Sequence, residues 1–404
     1  MTGIEIVASL VTVVLAACAA LLLVPCLFLL IEVVASTWPS RRLAELDVPG
    51  ALPPFAVLMP AHNEANSIVE SLNSLQAQLR ESDRLLVVAD NCDDATAAIA
   101  RGMGAEVSER FDAQHRGKGY ALDYGVRVLA AAAPAVVIAV DADCQVAAGA
   151  LARLAQSASE SGHPVQARYD MLPLVDADVG QRISAFAWRV KNLTRPRGAT
   201  RLGLPCLLTG SGMAFPWSTI EGASLASGNI VEDMQLGLDL ACQGRAPQFC
   251  EAALVTSRFA PTSESRQTQR RRWEHGHLAT LLSQVPRLVR AAMHLRQPRL
   301  LGLCLELCVP PLALLAAMTL ALTLLSLLWG SVSGAWLPGA MSLIATSSMA
   351  WATAAAWRRD GRELVSVRDL LSVPSYVLGK LPIYAAFLKR RESSWIRTER
   401  PRDD

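Results

Sequence analysis

A doubly wound, mostly parallel α/β sheet with apolar membrane helices on either side is the fold class this sequence predicts, and three observations predict it. Between Phe55 and Asp143, buried-strand runs alternate with stretches of helical periodicity, the pattern of successive βαβ units. Three of those runs end in acids, at Ala61-His62-Asn63-Glu64, Asp90-Asn91-Cys92-Asp93-Asp94 and Asp141-Ala142-Asp143. Stretches long enough to cross hydrocarbon, which takes about 20 apolar residues per helix, flank this region.

The elements follow in order. An apolar run from Ile6 to Ile31 comes first. It is not a secretory signal, because the residues before it carry only Glu5 where a basic region is required, and it continues well past Cys18. Phe55-Ala56-Val57-Leu58-Met59-Pro60 reads as the first buried strand. Asn66 and Ser67 stand where caps would start a helix over Ile68 to Leu79, with Ile68, Leu72, Leu75 and Leu79 at helical spacing. Arg84 to Ala89 is a second strand, Ala95 to Arg101 a helix, and Glu106-Val107 a shorter strand. The loop Arg116-Gly117-Lys118-Gly119 precedes a helix over Tyr120 to Ala132, and Val136 to Val140 is the strand that delivers Asp141 and Asp143.

Further apolar stretches run from Pro311 to Trp329 and from Leu337 to Trp357. Arg41-Arg42, Arg287, Arg290, Arg296, Arg299 and Arg358-Arg359 lie on one side of the three spans, whereas the connector Ser331 to Trp336 is uncharged. Positive charge marks the cytoplasmic side, so the region between the first two spans is expected in the cytoplasm, with the chain multi-pass in the inner (plasma) membrane. A fourth apolar stretch, Leu370 to Leu388, contains Pro374, Lys380 and Pro382 and precedes Lys389-Arg390-Arg391; it reads as a segment lying in the interface rather than a span. The expected organisation is therefore an N-terminal anchor over 1–36, a catalytic domain over 50–284, an interfacial helix with two transmembrane helices over 285–364, and an interfacial segment with a basic tail over 365–404. Glu32 and Glu306, acids at apolar segments, are expected at the membrane interface.

With 404 residues, 52% of them hydrophobic, and a net charge of only +2, the chain carries no bulk nucleic-acid footprint. Nine cysteines without a CxxC pair indicate neither a zinc site nor a disulfide scaffold.

The acidic strand ends carry the chemistry. In open α/β sheets ligands collect at the carboxyl ends of strands, and two carboxylates there suit Mg²⁺ or Mn²⁺ bridging to phosphate oxygens. Each acid also has a plain explanation, since Asp fills turns and caps helices; Asp94 alone would be accounted for as a cap for the helix at Ala95. The coincidence of three acidic strand ends with the glycine-flanked Lys118 favours a nucleoside-diphosphate ligand. Neither GxxxxGK[ST] nor a GxGxxG after a strand is present, so a P-loop or dinucleotide fold is unsupported. The glycine-rich Thr209 to Phe215, with Gly210 and Ser211, allows close backbone approach to a ligand or simply a turn. Glu232 and Asp233 open an apolar-periodic helix, a position acids also favour through the macrodipole alone. Gln269 to His277 gathers arginines, Trp273 and an amide, suited to phosphate and sugar or to a basic surface facing anionic lipid.

In this order the pieces resemble the membrane-embedded family 2 glycosyltransferases, the group containing cellulose, hyaluronan and poly-N-acetylglucosamine synthases. The resemblance covers about Phe55 to His277 and rests on Pro60-Ala61-His62-Asn63-Glu64, Asp90 to Asp94, Asp141-Ala142-Asp143, Glu232-Asp233 and the QxxRW pattern of Gln269, Arg272 and Trp273. It implies a GT-A fold and inverting transfer of a sugar from a nucleoside-diphosphate sugar, with UDP the expected nucleotide, to a lipid-linked or growing polysaccharide acceptor. By the same resemblance, Glu64 and Asp90 would hold the nucleoside and Lys118 the diphosphate. Asp141 and Asp143 would bind Mg²⁺ or Mn²⁺. Asp233 would be the general base, beside Glu232. Gln269 and Arg272 would close on the diphosphate, with Trp273, Gly210 and Ser211 toward the acceptor. The threonine usual before Glu-Asp is Val231 here, and three spans are fewer than polymer-extruding relatives have. That favours single addition over a processive synthase, the alternative within the family. A non-catalytic nucleotide-sugar-binding subunit of an envelope assembly is the alternative of another class.

Overall fold

The structure is a computed structural model that describes residues 3–39, 52–260 and 262–389. Arg41-Arg42, used above to orient the chain, and the basic pair Arg390-Arg391 lie outside the described residues. Helix α1 (Gly3–Ala35) opens the chain, followed by β1 (Phe55–Ala61), α2 (Ile68–Gln76), β2 (Arg84–Asp90), α3 (Thr96–Gly102), β3 (Glu106–Arg110), α4 (Lys118–Leu129) and β4 (Val136–Ala139). Then come β5 (Gln145–Val146), α5 (Ala150–Ser161), β6 (Val165–Leu172), α6 (Val179–Arg189), α7 (Arg195–Arg201), β7 (Met213–Pro216), α8 (Trp217–Ile220), α9 (Glu232–Cys242) and β8 (Gln248–Arg258). The remainder is helical: α10 (Ser263–Leu295), α11 (Arg299–Cys308), α12 (Leu312–Ser333), α13 (Leu337–Ala356), α14 (Val367–Leu370) and α15 (Val373–Lys389).

The described residues fall into two compact units, one from 52–176 and 203–301, the other from 3–38, 177–202 and 302–389. In the first, eight strands form one sheet in the order β3-β2-β1-β4-β7-β6-β8-β5. The neighbours β3, β2, β1 and β4 are parallel, as are β6 and β8, but β7 runs antiparallel to both β4 and β6, and β5 antiparallel to β8. Six strands therefore share one direction, as a mostly parallel sheet requires, and the reversed β7 and β5 make it mixed; the run β3-β2-β1-β4 is the part whose β-α alternation is visible in sequence. Strand β1 explains why the run Phe55 to Met59 is uniformly apolar. It is central, covered on both faces, and Phe55, Leu58 and Met59 are fully buried, each contributing about 1.5–3 kcal/mol. The expected cap at Ser67 is also corrected. Its hydroxyl makes no capping bond and instead donates to the Glu64 carboxylate at 2.5 Å.

Among the described residues, two helices, α1 and α12, both in the second unit, are long and apolar enough to cross a membrane. Helix α13, the third expected span, is not among them. Its hydropathy is lowered by Gly339, Ser342 and Ser348, which with Ala345 and Ala352 are small buried residues of a helix packed against α1 and α12, as in helix pairs that approach closely. Thr323 and Thr346 bond across α12 and α13 at 2.9 Å, and Trp329 donates to Thr12 of α1 at 2.9 Å. Residues 177–202, which fall inside the catalytic domain in the sequence reading, belong to this unit. Several side chains hold them there: Glu32 is fully buried with its carboxylate 2.7 Å from the Arg195 guanidinium, Arg195 also donates to the Glu306 carbonyl at 2.8 Å, Arg182 pairs with Asp369 at 2.7 Å and Arg197 with Asp360 at 3.0 Å. Gly198 sits so close to α1 that a Cβ there would lie 1.9 Å from the Glu32 carbonyl oxygen. Lys380, in the fourth apolar stretch, is buried and lies over the Tyr376 ring at 5.1 Å.

Candidate active site

Four chain segments converge at the carboxyl ends of the central strands. Asp141 and Asp143 follow β4, and their loop is fixed from below: the Asp141 N–H donates to Ser211 Oγ at 3.1 Å, Ser71 Oγ to the Ala142 carbonyl at 2.8 Å, and Ser257 Oγ to Asp143 Oδ2 at 3.2 Å. Lys118 is the first residue of α4, and its ammonium lies 2.5 Å from Asp141 Oδ1 and 2.6 Å from the Gly210 carbonyl. Gly210 has φ +98°, open to glycine and strained for other residues. A Cβ at Gly210 would lie 3.3 Å from Asp233 Oδ2, 3.7 Å from Lys118 Nζ and 3.9 Å from Asp141 Oδ2. One lysine and the acids Asp141 and Asp233 therefore surround a single glycine backbone.

Glu232 and Asp233 start α9, and α10 packs directly behind them. A Cβ on Gly276 would lie 2.5 Å from Val231 Cγ1, so the absence of a side chain lets α10 approach the residue that precedes the acidic pair. Arg287 and Asp239 pair between the same two helices. On α10, Arg272 lies within electrostatic reach of Glu232, Asp141, Asp143 and Asp233; burial pulls its pKa down against those four charges. Gln269 and Trp273 stand on the same helix, three positions before and one after Arg272.

The electrostatics follow from this crowding. Burial and the neighbouring Asp233 push Glu232 up to about 7. Burial also raises Asp141, with Asp143 adding to it and Lys118 opposing it. Although burial works against its charge, Lys118 is driven above the ordinary lysine range by Asp141, Glu232 and Asp233. The site holds more negative charge than its own cations balance, which is the condition for recruiting further positive charge.

Asp141, Asp143 and Cys144 have ligand atoms within 4.8 Å of one another. The Cys144 thiol is buried, 3.7 Å from the Tyr169 hydroxyl, and burial holds its pKa well above the usual thiol value. A protonated, soft sulfur does not suit a hard cation. The two carboxylates do, and they fit a divalent ion of the Mg²⁺ or Mn²⁺ type.

A separate cluster forms where β1 and β2 end. Asn63 and Asn91, both with positive φ (55° and 52°), turn the two loops, and Asp93 N–H donates to Asn63 Oδ1 at 2.9 Å. The His62 ring meets the Asp90 carbonyl at 2.7 Å, and Arg110 pairs with Asp90 at 2.6 Å. Asp94, weighed above as a simple cap, accepts from Thr96 and also from the Ala65 N–H at 3.2 Å, tying the loops together. Glu64 donates its N–H to Thr96 Oγ1 at 2.8 Å.

Ser211, expected toward the acceptor, is fully buried beneath Asp141; its role is to hold the acidic loop. Gln166 was not foreseen. Its buried amide donates to the Ser211 carbonyl at 2.9 Å and accepts from the Thr209 N–H at 2.9 Å, shaping the glycine loop from β6. Ser257 and Arg110 were likewise not foreseen. A lone glutamine or serine in a strand gives no sequence signal, since its partner lies far away in the chain.

Two carboxylates suited to a divalent cation, a lysine beside them and Asp233 facing the same glycine backbone are the groups that nucleotide-sugar-dependent sugar transfer calls for. Residues 53–276 match the model of the glycosyltransferase-like family 2. The chain belongs to that family. A mannosyltransferase from Pyrobaculum calidifontis, solved with GDP-Man and Mn²⁺, is similar over 93% of this chain and 98% of its own, at 18% identity and a TM-score of 0.53; this likeness establishes the fold. Glucosyl-3-phosphoglycerate synthase from Mycobacterium tuberculosis, solved with Mn²⁺, UDP and phosphoglyceric acid, is similar over 60% of this chain and 83% of its own, at 21% identity and a TM-score of 0.39. Comparison with curated proteins finds no match.

Proposed function

We propose that the chain transfers a sugar from a UDP-sugar, with inversion, to a lipid-linked or growing polysaccharide acceptor at the cytoplasmic face of the inner (plasma) membrane. The observation that carries this reading is the convergence of Lys118, Asp141 and Asp233 around the Gly210 backbone, beside Asp143 and within reach of Arg272. A divalent cation held by Asp141 and Asp143 would supply charge that stabilises the departing diphosphate. Lys118 and Arg272 add fixed positive charge from the protein itself, which costs no reorganisation during reaction. Glu64 and Asp90 hold the nucleoside. Asp233, facing the same space, accepts the proton of the acceptor hydroxyl as it attacks. Glu232, near neutrality in its protonation, limits the negative charge beside that base. Gln269 and Trp273 on α10 close over the diphosphate and the acceptor sugar. Helices α1 and α12 hold the enzyme at the bilayer, where a lipid-linked acceptor presents its sugar.

The test is the stereochemistry of the product. Protein in lipid nanodiscs, supplied with α-linked UDP-sugars and a lipid-linked sugar, is expected to yield a β-linked product by proton NMR. Retention of the donor's configuration rejects the single-displacement reading. Asp233→Asn is expected to keep UDP binding while turnover falls by about 10²–10⁴; unchanged turnover removes Asp233 from the role of base.

A further inference from the structure

Asp90 ends β2 with a carboxylate that is only 8% exposed, and its two oxygens differ. Oδ1 accepts from Arg110 Nη1 at 2.6 Å and from Asn91 Nδ2 at 3.0 Å. Oδ2 makes no hydrogen bond to any of the described residues. A carboxylate oxygen offers two lone-pair sites, so Oδ1 is saturated and the group presents one working oxygen, Oδ2.

Both donors on Oδ1 are held rigidly. The Arg110 side chain, 10% exposed, also donates to Asp112 Oδ2 at 3.1 Å and lies over the Tyr120 ring at 5.7 Å. Asp112 is fixed in turn, with its N–H on Asn91 Oδ1 at 2.8 Å and its carboxylate accepting from the Gln114 and His115 N–H groups, each at 3.0 Å. Asn91, at φ +52°, donates its own N–H to the Arg110 carbonyl at 2.7 Å. The forked guanidinium thus bridges two carboxylates, a task a point charge cannot perform.

We propose that Arg110 is a positioning residue for base selection: by occupying Asp90 Oδ1 together with Asn91, it leaves Oδ2 to read a base that has one ring N–H between carbonyls. This rests on the reading that Asp90 faces the nucleoside. Uracil matches a single acceptor, because its N3–H is the only donor on that edge. Guanine brings two adjacent, parallel donors, N1–H and the 2-amino group, which match the two oxygens of a carboxylate side by side; with Oδ1 filled, the second donor has no open oxygen opposite it. Cytosine and adenine turn an unprotonated ring nitrogen toward the carboxylate and are repelled. Arg110 does not touch the base; it sets which oxygen Asp90 can offer.

Isothermal titration of the full-length protein with UDP, GDP and CDP, each with Mn²⁺, tests this on wild type, Arg110→Met, Arg110→Lys and Asp90→Ala. Wild type is expected to prefer UDP to both others. R110M is expected to weaken UDP and tighten GDP, shrinking the UDP:GDP ratio by about tenfold or more, the cost of one unpaired polar group. Tighter GDP binding is a change that mere loss of structure does not produce. R110K keeps a cation but cannot bridge Asp90 and Asp112, so an intermediate ratio is expected, and it is the variant read if R110M does not hold its fold by circular dichroism. A wild-type ratio in the folded arginine variants, with UDP binding lost in D90A, overturns the role of Arg110 while leaving the nucleoside site in place. Undiminished UDP binding in D90A overturns the nucleoside site itself, as does a wild-type preference for GDP.

Discussion

The Lys118 ammonium lies 2.5 Å from Asp141 Oδ1 while donating to the Gly210 carbonyl at 2.6 Å, so one side chain joins the N-terminus of α4 to the acidic loop and the glycine turn. Lys118→Met removes the lysine charge that balances Asp141, Glu232 and Asp233. UDP affinity is expected to fall about tenfold or more by titration calorimetry, and turnover by about 10²–10³ in a nucleotide-release assay. Wild-type affinity in a folded K118M would remove Lys118 from the diphosphate site.

The raised Glu232 gives a pH dependence of stability with a definite sign. Its folded pKa, about 7, exceeds the ordinary 4.5, so between these values the folded state binds more protons than the unfolded one. The contribution is fully present below pH 4.5 and is lost as pH rises through about 7. Without nucleotide or metal, the difference in melting temperature between Glu232→Gln and wild type is therefore expected to grow in favour of the variant from pH 5 to pH 8. A constant difference across that range would contradict the assignment.

Helix α10 reaches the acidic pair through the contact of Gly276 with Val231. Gly276→Ala puts a methyl 2.5 Å from a stiff β-branched side chain. A loss of about 1–3 kcal/mol is expected in chemical denaturation, with reduced turnover. Val231→Ala in the same background should restore part of both, because the two changes share one contact. Strict additivity would show that the helices do not meet there.

Arg195→Met leaves Glu32, fully buried on α1, without its partner. About 3–5 kcal/mol of stability is expected to be lost, most of it recovered in the double variant Glu32→Gln with Arg195→Met. Thermal melting in detergent reads both. A double variant as unstable as the single would place the cost in lost packing rather than in the stranded charge.

What the sequence disclosed follows from where contacts lie along the chain. Strands β1, β2 and β4 are legible because each is buried on both faces and so reads as an unbroken apolar run ending in acids. The start of α9 at Glu232 is legible from its periodicity. The antiparallel pairing of β7 with β4 is not, because its partner lies over 70 residues upstream and no tight turn joins them. Residues 177–202 read as part of the catalytic domain, since the side chains that assign them elsewhere, among them Arg182, Arg195 and Arg197, meet their partners Asp369, Glu32 and Asp360 across 163 to 187 residues. Gln166, Ser257 and Arg110 were hidden for the same reason: each acts through a distant partner rather than through a local pattern.

The paired carboxylates at the end of β4 are tested most directly by nucleotide release. Purified protein in lipid, given a panel of UDP-sugars and acceptor with Mn²⁺, is expected to release UDP; EDTA should stop the release and added Mn²⁺ restore it, while Asp141→Asn and Asp143→Asn each bind Mn²⁺ more weakly by calorimetry. Sugar transfer that continues undiminished under EDTA, or in variants lacking both carboxylates, would contradict it.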